Sequence, residues 1–158
     1  LTKIETKYWI EYICKRFEYT GKHISPELAE EICRLVDNHS SYVQQLSWLL
    51  WIRTINTATT EQLTYALEDL LDQNNILFQS ETENLSAYQM NFLKAIVDGI
   101  HTKFSSKEVI SKYNLGTSAN IVRLKNALLQ KELIETNGKE IVLADPVFGV
   151  WFKKEMLY

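Results

Sequence analysis

Few residues in this chain could do chemistry by themselves. His23, His39 and His101 lie far apart, without the short spacings that let side chains share a zinc ion. Cys14 and Cys33 are single, with no Cys-x-x-Cys, and read as reduced core thiols rather than a disulfide. Glu27, Glu30 and Glu31 could exchange protons in principle. They follow Ser25-Pro26 in the first turns of a helix, however, where negative charge suits the dipole, and that role is preferred to acid–base work. There is no Gly-x-x-x-x-Gly-Lys-[Ser/Thr] loop to cradle phosphates, no dinucleotide-type glycine pattern, and no Ser/His/Asp or Cys/His set. The chain alone therefore reads as no enzyme. Binding remains. The polar turn Asn38-His39-Ser40-Ser41 opens straight into a helix whose first N–H groups and partial positive charge could face an anion. The plainer alternative is that Ser40 or Ser41 caps a core helix.

That helix, from Ser40 to about Asn56, carries Trp48-Leu49-Leu50-Trp51-Ile52 without a polar break. A helix apolar on most of its circumference is buried on most sides, so it is expected to be a central post with Trp48, Leu49 and Trp51 in the core. Around it, Trp9, Ile13 and Phe17 recur every four residues in a helix that Gly21 stops. Ser25-Pro26 opens a second helix, buried through Leu28, Ile32, Leu35 and Val36. Thr59-x-x-Gln62 is a capping box for a fourth, running through Leu63, Leu67, Leu70 and Leu71. Four helices on short connections predict a compact all-α domain. Polar residues crowd between 74 and 86, which places a boundary near 80–85 and two domains at 1–82 and 83–158.

The second half has a different rhythm. Ser86-x-x-Gln89 caps a helix that ends at Gly99, and Ser105-x-x-Glu108 is expected to cap a short one over 106–113. Asn114-Leu115-Gly116 is a turn, and Thr117 or Ser118 starts a helix to Gln130. Two strand-like runs, 132–136 and 139–143, flank Asn137-Gly138, a strong hairpin signal. Helix, helix, turn, helix, hairpin is the order of a winged helix-turn-helix. The fold class expected is mainly α, a helical bundle followed by a winged helix with one β-hairpin.

Charge divides the same way. Residues 1–80 hold seven basic and eleven acidic side chains, whereas 103–131 hold six basic and one acidic. The basic stretch is either a solvated face or a surface for an anionic partner. In the 117–130 helix, Ile121, Leu124 and Leu128 share the inward face, which leaves Ala119, Arg123, Asn126 and Gln130 outward. Arg123 and Asn126 could read base edges, with Lys103, Lys107, Lys112 and the wing residue Lys139 on phosphates. The longest apolar run is five residues, far below the roughly 20 a bilayer needs, so no membrane partner is expected. No signal-peptide pattern opens the chain, and a cytoplasmic location is expected. The start Leu-Thr-Lys suggests a piece of something longer.

Four segments, in this order and spacing, carry a resemblance: Tyr8-Trp9-Ile10-Glu11-Tyr12-Ile13 with Phe17; Asn38-His39-Ser40-Ser41-Tyr42-Val43-Gln44; Leu85-Ser86 with Gln89; and Ala144-Asp145-Pro146-Val147-Phe148 with Trp151. The chain resembles the C-terminal part of archaeal and bacterial P-loop ATPases of the AAA+/STAND type, in which a nucleotide-binding domain precedes a helical lid and a winged helix. The resemblance implies that the lid's third helix starts near bound nucleotide, and so makes Asn38, His39, Ser40 and Tyr42 nucleotide-proximal. The family's turn usually reads Asn-His-Pro-Tyr-Tyr-Val-Gln; here Ser40 stands where Pro is expected and Ser41 where Tyr is expected. Many such lids also start this helix with an Arg that touches the terminal phosphate, and none is present, so the resemblance stops short of phosphate sensing. It further implies Mg-ATP as cofactor of the parent protein, an ATPase, and an N-terminal P-loop domain as partner. The lid would close over nucleotide held there while the winged helix contacts DNA or protein. The alternatives are a self-contained winged-helix transcription regulator and a pure protein-docking module.

Overall fold

The computed structural model describes residues 2–157. Among them are eight helices and one two-stranded antiparallel hairpin, so the protein is mainly α. Its packing forms two units, Leu1–Asn74 and Asn75–Tyr158.

The first unit holds α1 (Thr6–Tyr19), α2 (Pro26–Leu35), α3 (Ser40–Arg53) and the opening turns of α4 (Thr60–Glu83). Local chemistry starts these helices where the sequence says. Ser25 Oγ accepts from the Leu28 N–H with Pro26 at the first helical position. Thr59 and Gln62 form the reciprocal capping bonds, at 3.2 and 3.0 Å. Trp9, Ile13 and Phe17 of α1, Leu28, Ala29 and Ile32 of α2, and Leu63, Ala66 and Leu70 of α4 are buried, as their helical spacing requires.

α3 departs from expectation in two ways. Its N-cap is His39, which makes no side-chain capping bond; Ser40 is exposed, and Ser41 Oγ instead accepts from the Gln45 amide one turn on. Nor is α3 buried all round. Val43, Leu46, Leu49 and Leu50 form one inward stripe, whereas Trp48 is 59% exposed and Ile52 is also exposed. Trp51 is half-buried: its Nε1 donates to Thr20 Oγ1 at 2.8 Å, and the Lys22 ammonium lies 4.0 Å from its ring centroid. Apolar residues on every side of a helix do not say which side finds partners, and in this small unit one side of α3 finds none.

The two units divide between Asn74 and Asn75, inside α4, which runs unbroken to Glu83. Asn74 Nδ2 donates to the Leu70 carbonyl within the helix. The polar residues at 80–83 are therefore helical, not a linker, and the division placed from composition near 80–85 falls in the last turn and just beyond.

The second unit adds α5 (Ala87–Val97), α6 (Lys107–Tyr113), α7 (Ser118–Gln130), β1 (Ile134–Asn137), β2 (Glu140–Leu143) and α8 (Pro146–Met156). Ser86 and Gln89 form the full capping box of α5. α6 is capped one residue later than expected, by Ser106, whose Oγ accepts from the Val109 N–H. Asn114, at φ 52°, ends α6 in the left-handed region. The hairpin pairs Ile134 with Leu143 and Asn137 with Glu140, so its two turn residues are Gly138 and Lys139 rather than Asn137 and Gly138. Gly138 takes φ +63° at the first turn position, where a type II′ turn demands glycine. The Ile141 N–H donates to the His101 carbonyl, and the His101 ring bonds the Ile141 carbonyl at 3.0 Å, tying the segment before α6 to β2. Asp145 caps α8 by accepting from the N–H groups of Val147 and Phe148. The core is aromatic. Phe78 from the end of α4 meets Phe148 and Trp151 of α8 at centroid distances of 5.4 and 5.6 Å, and Phe92 stacks on Phe104 at 4.5 Å.

Candidate functional site

The turn before α3 is held by strained backbone and by side chains. Asp37 and Asn38 both have positive φ, 49° and 54°, a conformation asparagine and aspartate tolerate better than most residues. Lys3 Nζ reaches both the carbonyl and the carboxylate of Asp37, and Asn38 Nδ2 donates to Thr6 Oγ1 at 2.9 Å. The turn is thereby fastened to the start of α1. His39 and Tyr42 face each other with ring centroids 4.7 Å apart. The structure thus brings Asn38, His39, Ser40 and Tyr42 together on one turn. Asn38 Oδ1 and His39 Nδ1 are buried without hydrogen-bond partners, which no sequence pattern signalled.

The surroundings of this turn decide what it can meet. A cleft of about 390 Å³ beside it is lined by Thr6, Asn38 and Cys33, and by Glu27, Glu30, Glu31, Arg34 and Asp37. Its four carboxylates meet two cations: Arg34, which pairs with Glu31 and holds that carboxyl below its usual range, and Lys3, which pairs with Asp37. A negative excess remains, and it disfavours phosphate in this cleft. Burial pushes the Cys33 thiol up to about 11, so it is no nucleophile at neutral pH. Among the described residues, no cluster of histidine, cysteine or carboxylate side chains could hold a metal ion.

On the second unit, Lys107 and Lys112 of α6, Arg123 and Asn126 of α7, and Lys139 in the hairpin turn are all exposed. None forms an ion pair among the described residues. α7 buries Ile121, Leu124 and Leu128 and so presents Arg123 and Asn126 outward, as its periodicity requires. Two features were not anticipated. Val122, beside Arg123, is 62% exposed, and Glu135 and Glu140 flank the hairpin turn and outnumber Lys139.

Helix, helix, turn, helix, two-stranded wing and closing helix define the second unit as a winged helix. Residues 76–154 match a family described as "Probable winged helix domain", half of the chain, and the chain belongs to that family. Over 96% of its length the chain is also similar in fold to the Walker-type ATPase PABY2304 of Pyrococcus abyssi, with a TM-score of 0.70 at 18% identity. It covers 42% of that protein, less than half its length. No curated protein matches the chain. No helix among the described residues is long and apolar enough to cross a membrane.

Proposed function

We propose that the chain is the helical lid and winged helix of an AAA+/STAND-type ATPase. The first unit, as lid, closes over Mg-ATP held by a P-loop domain outside this sequence, and the winged helix contacts DNA or a protein. The observation that supports this best is the fold likeness to a Walker-type ATPase across both units at once, since a winged helix alone would leave the first unit unmatched. In this reading Asn38, His39, Ser40 and Tyr42 sit near the nucleotide. The negative excess in the cleft beside Asn38 favours contact with its base or ribose over its phosphates there. ATP binding and hydrolysis move the lid and carry the winged helix with it, a hinge-type switch. The test is the reading frame ahead of Leu1. A Gly-x-x-x-x-Gly-Lys-[Ser/Thr] segment within about 200 residues, roughly one domain, is expected, and a start codon at Leu1 would overturn the proposal.

The second reading is a self-contained winged-helix DNA-binding regulator. The exposed Arg123 and Asn126 on α7 favour it. The two carboxylates on the wing weigh against phosphate contact there.

A further inference from the structure

We propose that the groove between α1 and α3 binds a small aromatic anion, an aryl carboxylate or sulfonate in chemical class. The groove encloses about 420 Å³, within the range of small-molecule sites. Its walls include Tyr12 and Trp48, both exposed, and the half-buried Trp51, rings against which an aromatic ligand can stack, with Trp9 behind Tyr12 in an edge-to-face contact. It lies along the middle of α3 and contains none of the residues of the Asn38–Tyr42 turn.

Charge selects the class. Arg16 is the one charged residue of the lining, and no carboxylate joins it. Its guanidinium lies 5.9 Å from the Tyr12 ring centroid and forms no ion pair among the described residues. The cleft beside Asn38 has the opposite character, with four carboxylates, so within this acidic unit the groove is where an anion meets attraction.

Hydrogen bonding points the same way. Trp9 Nε1 and Ser47 Oγ, both on lining residues, are buried without partners, and Trp9 is only 4% exposed. Indole N–H is a donor only and a hydroxyl can donate, so both suit the oxygens of an anion. Both atoms are sealed from solvent, so a ligand that meets them must open the wall, and Trp48, 59% exposed, is its most exposed tryptophan. The rival occupant is a protein, drawn to the exposed apolar stripe of Trp48, Ile52 and Ile55 that continues from the groove.

The probes are 1-anilinonaphthalene-8-sulfonate and N-phenyl-1-naphthylamine, which share an aromatic body and differ in the sulfonate. Both are titrated by fluorescence into the 158-residue chain and its variants, with circular dichroism confirming the fold. The sulfonate probe is expected to bind one equivalent. Trp48→Ala should weaken both probes about tenfold, the scale of a lost aromatic contact, and Trp48→Phe should restore most of the binding. Arg16→Gln should weaken the sulfonate probe about tenfold and the neutral one less than about twofold, as expected for a charge-assisted bond. Asn38→Ala should change neither, which separates this site from the nucleotide turn. Binding of several equivalents, or Arg16→Gln acting equally on both probes, overturns the proposal and marks the surface as a protein contact. Absence of binding by the sulfonate probe overturns it outright.

Discussion

Trp151 Nε1 donates to Asn75 Oδ1 at 2.8 Å, across 76 residues of sequence. The indole is buried, and this bond satisfies its one polar group. Asn75→Ala leaves a buried donor without an acceptor, a loss of about 1–3 kcal/mol. Urea unfolding should show it as a lower midpoint with an unchanged slope. A midpoint equal to wild type would mean that water replaces the amide.

Two tryptophans that look alike in sequence should behave differently. Trp151 is 1% exposed against Phe78 and Phe148, so Trp151→Ala should cost about 3–5 kcal/mol. Trp48 is mostly exposed, and Trp48→Ala should stay within about 1 kcal/mol of wild type. Thermal unfolding of the two variants side by side measures the contrast, and equal losses would place Trp48 back in the core.

Nucleotide should bind poorly to this chain by itself, because no phosphate-cradling loop exists in it and the cleft beside Asn38 is acidic. Calorimetry with Mg-ATP is expected to give no low-micromolar binding. A dissociation constant in that range would remove the need for a second domain.

If the winged helix meets DNA, binding should be weak and fall steeply with salt. Lys107→Ala and Lys112→Ala should each reduce it for any sequence, whereas Arg123→Ala and Asn126→Ala should relax preference among sequences. Glu135→Gln with Glu140→Gln should tighten it by removing repulsion at the wing. Anisotropy with duplex DNA at low and moderate salt reads all of these. No binding at low salt would leave protein as the partner.

Stability should decline in alkali because of Cys33. Burial raises its folded-state value from about 9 to about 11, so the unfolded thiol ionises first. The contribution is complete below about pH 9 and is lost as pH rises through 11. Comparing wild type with Cys33→Ala between pH 8 and 11 isolates it, since only wild type carries the thiol term. Parallel curves would show that the thiol reaches water.

Capping chemistry was legible in the sequence because it is local. Ser25-Pro26, Thr59 with Gln62, and Ser86 with Gln89 each need only their own turn of backbone, and each forms the expected bonds. Choices between neighbours were not legible, since either Ser105 or Ser106 can cap α6, and a one-residue shift moves the hairpin turn to Gly138 and Lys139. The continuity of α4 was hidden for another reason. Asn74 and Asn75 look like breakers, but Asn74 bonds back to the preceding turn of the helix and Asn75 accepts from Trp151, a tertiary contact that overrides its local preference. On the candidate site, the periodicity of α7 sufficed to turn Arg123 and Asn126 outward. The carboxylates around Asn38 lie on α2 and the turn after it, one stretch of sequence, but the groove beside Trp48 comes from α1 and α3 meeting in space, which no single stretch records.

The distribution of indoles gives the chain a built-in optical label. Trp9, Trp48 and Trp51 belong to the first unit, and Trp151 alone belongs to the second. Trp151 is buried among aromatic rings with its N–H engaged, so its emission is expected to lie to the blue and that of the exposed Trp48 to the red. A Trp151→Phe chain therefore reports on the first unit only, and the difference from wild type reports on the winged helix. The stability of each half can be followed inside one intact molecule, with no dye attached and no domain cut away.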